Sequence, residues 1–234
     1  MKNYFFIVVI ALLLSSCATP LPIYQLKPAG KIELRYPTME MTLMYERTVG
    51  ELLIFDIAIK NLSDSIIEVN PTEFYCYSLR NLTDTSAYGG VIFATDPEYQ
   101  ITSFGKTIDN KMANYDEEVG TNGLVTFIDF VGDVINIGKK TREEKESEEK
   151  ERCEREREYE ERKQDYYIEL ERLIKKRSYW ENKSLRKTTI FSEKTISGKI
   201  HFSKENFMKD IPYLKVKLPI AKQVTEYTFE YYKL

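Results

Sequence analysis

Histidine occurs once in the 234 residues, at His201, and cysteine three times, at Cys17, Cys76 and Cys153. A Ser-His-Asp triad would have to be built on that one imidazole, and no Gly-x-Ser-x-Gly turn accompanies it to present a nucleophile. Cys76, Cys153 and His201 together fall short of the four ligands of a structural zinc site. The 10 glycines form no phosphate-cradling loop. Carboxylates are plentiful, but they crowd into one solvated charge run, and no pair can be placed in the cleft that a glycosidase needs. The expectation is a protein without catalytic residues, bound metal or cofactor. An excess of charge of one sign is missing too: 34 Lys and Arg stand against 37 Asp and Glu, for a net of -3, which argues against a nucleic-acid binder. A membrane-spanning run is also lacking. The longest apolar stretch, Tyr4 to Leu14, reaches about 16 Å as a helix, against a bilayer core of roughly 30 Å.

What is present is enough hydrophobic material for a core, with 42% apolar and 13% aromatic residues. The length suits one domain with an insertion, or two small ones. Lys2, the apolar run and the small residues after it describe a secretory signal peptide over residues 1–16. The run ends in Leu14-Ser15-Ser16-Cys17, which resembles the lipobox of bacterial lipoproteins. The resemblance implies that Cys17 becomes the mature N-terminus and carries a thioether-linked diacylglycerol and an N-acyl group. At about 0.8 kcal/mol per buried methylene, several acyl chains anchor a protein durably. Membrane lipid is then one partner, reached through acylated Cys17, and the chain belongs to the bacterial cell envelope. The usual sorting pattern of such lipoproteins, with no Asp after the cysteine, implies the outer membrane. Residues 17–30, with Pro20, Pro22 and Pro28, read as the lipidated cysteine and its tether.

From Lys31 the apolar residues alternate, as in strands half buried against a core. Ile32, Leu34 and Tyr36 form one such set, and Met41, Leu43 and Tyr45 a second. Leu53, Phe55, Ile57 and Ile59 form the clearest strand, stopped by Asn61, Ser63 and Asp64. Ile66 to Val69, Phe74 to Leu79 and Val91 to Ala94 follow. Near the other end, Ile196, Ile200 and Phe202, then Leu214 to Ile220, then Tyr227 to Tyr231 complete about nine strands. The alternation places His201 on the outward face with Lys199 and Ser203, as plain surface.

Leu53 to Leu79 and Thr188 to Phe202 resemble small immunoglobulin-like domains of secreted bacterial lipoproteins. The resemblance rests on Lys60-Asn61 at a strand end, Asn70-Pro71 at a strand entry, and the run Thr188-Thr189-Ile190-Phe191, Glu193, Gly198, Phe202. Ser192-Glu193 stands where Pro-Gly is usual. The fold expected is therefore mostly β with an α insertion, an immunoglobulin-like antiparallel β-sandwich interrupted by a long charged helical hairpin or arm. The sandwich takes residues 31–95 and 188–234. The resemblance implies an accessory or binding role and transfers no catalytic residue.

Residues 96–187 carry helical periodicity instead. Asp96-Pro97-Glu98 reads as an N-cap, a first-turn proline and a first-turn acid, followed by one apolar stripe of Ile101, Phe104, Ile108, Met112 and Tyr115. A second helix, 121–137, carries Leu124, Phe127, Ile128, Val131, Val134 and Ile135. A third starts at the capping box of Thr141 and Glu144 and can run to about Lys187. From Arg142 to Asp165, 20 of 24 residues are charged, 8 basic and 12 acidic, whereas Arg172 to Lys187 has 7 basic residues and one acid. That order complements the helix dipole. Only the second half carries a seam, Tyr159, Tyr166, Leu170, Leu173 and Trp180, near heptad spacing. Helices one and three should pair along their stripes as an arm leaving the sandwich. The apolar residues Leu124, Phe127, Val131 and Val134 would then pack on the sandwich, self-associate, or meet a membrane or protein partner. Cys76, on a strand, and Cys153, on the charged helix, lie too far apart for a disulfide in such an arm, so both should be free thiols. The function expected is non-enzymatic binding or envelope organisation by an anchored lipoprotein, with an oligomeric scaffold and a carbohydrate-active envelope protein as the alternatives.

Overall fold

The computed structural model describes residues 24–83, 87–115, 142–204 and 211–233. Among these, eleven strands occur: β1 (Tyr24–Pro28), β2 (Glu33–Arg35), β3 (Met39–Val49), β4 (Leu52–Asn61), β5 (Ile67–Val69), β6 (Tyr75–Leu79), β7 (Tyr88–Phe93), β8 (Thr188–Ile190), β9 (Thr195–Ser203), β10 (Tyr213–Ile220) and β11 (Gln223–Lys233). Between β7 and β8 lie a helix over 97–115, here α1, and the long helix α2 (Arg142–Lys183). The protein is mostly β, with its strands in several antiparallel sheets. One sheet has the order β1-β11-β10-β6-β7, a second β2-β3-β4-β9, and β5 pairs with β8.

The alternating sequences account for this layout. Leu53, Phe55, Ile57 and Ile59 of β4 and Leu214, Val216, Leu218 and Ile220 of β10 point into one shared core. Phe55 sits at its centre, with ring centroids 5.0 Å from Phe229 and 5.9 Å from Phe202, both edge-on. The two larger sheets are also bonded to each other: the Tyr227 hydroxyl donates to the Met41 carbonyl at 3.0 Å. On the other face of β10, Lys215 and Lys217 share the carboxylate of Glu226, at 3.3 and 2.6 Å. Burial opposes ionisation of Glu226, but the two lysines outweigh it and hold its carboxyl below the usual range.

Turn chemistry sets the strand ends. Asn61, fully buried, donates through its side-chain amide to the carbonyls of Ser65 at 2.7 Å and Ile190 at 3.0 Å, and accepts from the Ser63 amide and hydroxyl. Asn70 caps the short 3-10 turn Pro71–Glu73 by accepting from the Thr72 amide at 3.3 Å. Glu193 takes the left-handed conformation, φ 58°, at the turn where glycine would be the cheaper residue.

Several expectations are corrected. Residues 17–30 are not all tether, because Tyr24–Pro28 pairs with Phe229 to Lys233 as β1. Two strands, β1 and β8, join the nine read from alternation. The long helix ends at Lys183, not near Lys187, because the chain leaves it to run beside β9: the Leu185 amide donates to the Lys199 carbonyl at 2.8 Å. The cap at Thr141 and the helix at 121–137 lie outside the described residues.

Candidate functional site

The described part of the insertion is an antiparallel pair of helices. Asp96 opens α1 by accepting from the Glu98 amide at 2.9 Å, as an N-cap does. Glu98 then takes Arg186, just beyond α2, in a two-pronged ion pair of 2.5 and 2.8 Å. Farther along, Gly105 lies against the Arg177 guanidinium, Lys111 pairs with Glu169, and Tyr115 stacks on Tyr166 with ring centroids 4.0 Å apart. As α1 advances from 98 to 115, its partners retreat from 186, just past α2, to 166 on it, and the seam forms where the stripes meet. Tyr159, Tyr166, Leu170 and Leu173 are half-buried and Trp180 is buried, whereas the helix from Glu146 to Glu158 is exposed. Its 42 residues make α2 about 63 Å long.

Two places on this arm gather chemistry. The first is a recess of about 330 Å³ between the helices, lined by Lys111, Asn114, Tyr115, Tyr159, Arg162 and Tyr166, among others. Partial burial and the neighbouring phenols of Tyr159 and Tyr167 push the Tyr115 hydroxyl up to about 12, so it stays protonated. The rim of the recess mixes the cations Lys111, Arg162 and Lys163 with the carboxylates Asp165 and Glu169, and Lys111 is already paired with Glu169.

The second is the root of the arm, where the sequence reading of His201 is overturned. His201 does face away from the sheet core, as the alternation requires, but it is 1% exposed. The reason is α2, whose last turns cover that face. Trp180 lies over the imidazole with ring centroids 4.2 Å apart, and the Tyr179 hydroxyl is 2.9 Å from His201 Nε2. Burial, with the nearby Lys199 charge, pushes the imidazole down to about 4. Next to it, Lys199 reaches Glu46 at 2.5 Å and Asp56 at 2.7 Å. Partial burial alone would lower this ammonium, but the two carboxylates outweigh it and the net direction is upward. Glu46 can reach Lys199 because β3 is irregular at that point, its pairing with β4 stepping from Tyr45 to Arg47.

Cys17, Leu124, Phe127, Val131 and Val134 lie outside the described residues. Cys76 is buried and Cys153 exposed, and neither is in a disulfide. Burial pushes the Cys76 thiol well up, away from reactivity. Among the described residues, no group of three or more histidine, cysteine or acidic side chains is placed to hold a metal ion, and no helix is long and apolar enough to cross a membrane. No family model matches the chain, and no curated protein or solved structure matches it.

Proposed function

We propose that the protein is a lipoprotein of the bacterial envelope, acylated on Cys17 and held in the outer membrane, with an immunoglobulin-like sandwich that presents the helical arm for non-enzymatic binding or envelope organisation. The observation that carries this reading is Leu14-Ser15-Ser16-Cys17 at the end of an apolar run too short to span a bilayer. Two antiparallel sheets around a shared core support the sandwich. An arm of about 63 Å, paired near its root and charged along its outer half, supports a role in reaching a partner. Growth with an alkyne-bearing fatty acid tests the anchor: wild-type chain takes up label and fractionates with membranes, and Cys17→Ser does neither. Label persisting in Cys17→Ser refutes it.

The second reading is a self-associating scaffold, favoured by Tyr167, Ile168 and Ile174, which α2 leaves 53%, 40% and 49% exposed. Light scattering of residues 18–234 decides between them, since a strict monomer at high micromolar concentration removes the scaffold.

A further inference from the structure

The only histidine of the chain and its only tryptophan lie against each other where the arm docks on a sheet. The outer face of β9 and β4 supplies one half of the contact, His201 and Ile54, which are directly paired and both buried. The last turns of α2 supply the other half, Tyr179 and Trp180. Trp180 is 6% exposed although it belongs to a helix that is elsewhere largely solvated.

Among the described residues, the charged groups acting on this contact are paired with one another. From β9 comes Lys199, from β4 Asp56, and from β3 Glu46 and Arg47. Lys199 holds Asp56 and Glu46, and Arg47 also pairs with Glu46, at 3.2 Å. On α2, Glu181 is bonded to Arg177 at 2.9 Å. A proton added to His201 therefore meets a nearby ammonium and two aromatic rings, while the nearest carboxylates are held by Lys199. The contact therefore favours the neutral imidazole while the helix stays down, and the ring regains water when the helix lifts.

We propose that the root of the arm is an acid-released latch, in which protonation of His201 undocks the Tyr179–Trp180 end of α2 from the outer face of the β4–β9 pair. Leu185, bonded to Lys199 and packed on Gly198, stays as the pivot. The sign follows from the two states. Docked, the imidazole titrates near 4; released, it returns to its ordinary 6.5. Docking is thus fully favoured above 6.5, weakens as the pH falls towards 4, and is lower by a constant factor below that. A difference of 2.5 pH units (6.5 minus 4) makes that factor on the order of 300-fold in the docking equilibrium.

The single tryptophan reports the event. The purified mature chain is titrated from pH 7.5 to 3.5 while Trp180 emission and the strand signal in circular dichroism are followed together. The expected result is a reversible red shift of Trp180 with its midpoint between pH 4 and 6.5, complete before the strand signal changes. Emission that moves only with the strand signal overturns the latch. His201→Gln, where it folds, must abolish the shift, and a shift retained at the same midpoint overturns it too. Lys199→Met offers an independent check, because it removes the opposing charge and frees Asp56 and Glu46. By easing protonation of His201 in the docked state it must move the midpoint down or abolish the shift, and an unmoved midpoint defeats the proposal.

Discussion

Gly198 of β9 lies directly beneath Leu185, so close that a Cβ built on the glycine would sit 2.7 Å from the Leu185 nitrogen and 2.8 Å from its Cα. The obstacle is backbone, which cannot swing aside as a side chain can. Gly198→Ala should therefore push the strand and the helix exit apart and strain the Leu185 to Lys199 hydrogen bond. The expected cost is about 1–3 kcal/mol, or about 2–4 °C in melting temperature per kcal/mol. Urea denaturation read at Trp180 measures it, and a variant as stable as wild type would mean that the approach is looser than described.

Asn61 makes a second close connection, between the end of β4 and β8. Its side chain serves the carbonyls of Ser65 and Ile190 and the Ser63 amide and hydroxyl, all without access to water at Asn61 itself. Asn61→Ala leaves those partners unsatisfied, at about 1–3 kcal/mol. Asn61→Asp keeps the shape but turns the amide donor into an acceptor facing two carbonyls, and should cost at least as much at neutral pH. A urea midpoint that falls at unchanged slope verifies the loss.

The turn at Glu193 should respond in the opposite direction. Its φ of 58° suits glycine, and the only charged contact to lose is an ion pair with Lys60 at 3.4 Å, made by a carboxylate that is 66% exposed. Surface pairs of this kind contribute little. Glu193→Gly should thus gain about 0.5–1 kcal/mol, reduced by the greater freedom of glycine in the unfolded chain. Glu193→Pro fixes φ on the wrong side and deletes the amide that donates to the Asn61 carbonyl at 2.9 Å, so it should destabilise. Thermal melts of the pair, moving in opposite directions, are the check.

These positions mark what was legible in the residues and what was not. Alternation located β2, β3, β4, β9, β10 and β11, because each turns an alternating apolar set to the same core and the period of two is written in their side chains, whereas β6 was read as a short run. The cap at Asp96 and the seam from Tyr159 to Trp180 were legible for the same local reason. Alternation also gave His201 the correct side of its strand. It could not reveal that the outward face is covered, since the cover comes from α2, more than twenty residues earlier, and carries no local signature. β1 was hidden by its proline-rich surroundings and by its pairing with β11, some 200 residues away. Gly198 stood out only as part of a resemblance and Asn61 as that and a strand-ending turn residue, and the contact that requires each became visible once the helix exit and β8 were in place. The recess residues Lys111, Asn114 and Arg162 had no signal either, because two helices must meet before their polar edges form one concavity.

If the arm is held mainly by its own seam, damage there should stay local. Tyr166 stacks on Tyr115, meets Tyr167 edge-on at 5.3 Å, and lies under the Lys111 ammonium. None of these partners belongs to a sheet. Tyr166→Ala removes a half-buried ring and an aromatic pair whose stacking contributes about 0.5–1.5 kcal/mol beyond its area. Hydrogen exchange should then quicken in peptides from 97–115 and from the facing turns of α2, while peptides of β4 and β10 keep their protection. Tyr115→Ala should produce the same pattern. The double variant should cost less than the sum of the two single ones, by roughly that stacking energy, because the pair can be broken only once. Equal loss of protection in β4 would instead make the arm part of the same cooperative unit as the sheets. In that case lifting Trp180 from His201 would unfold the domain instead of freeing the helix.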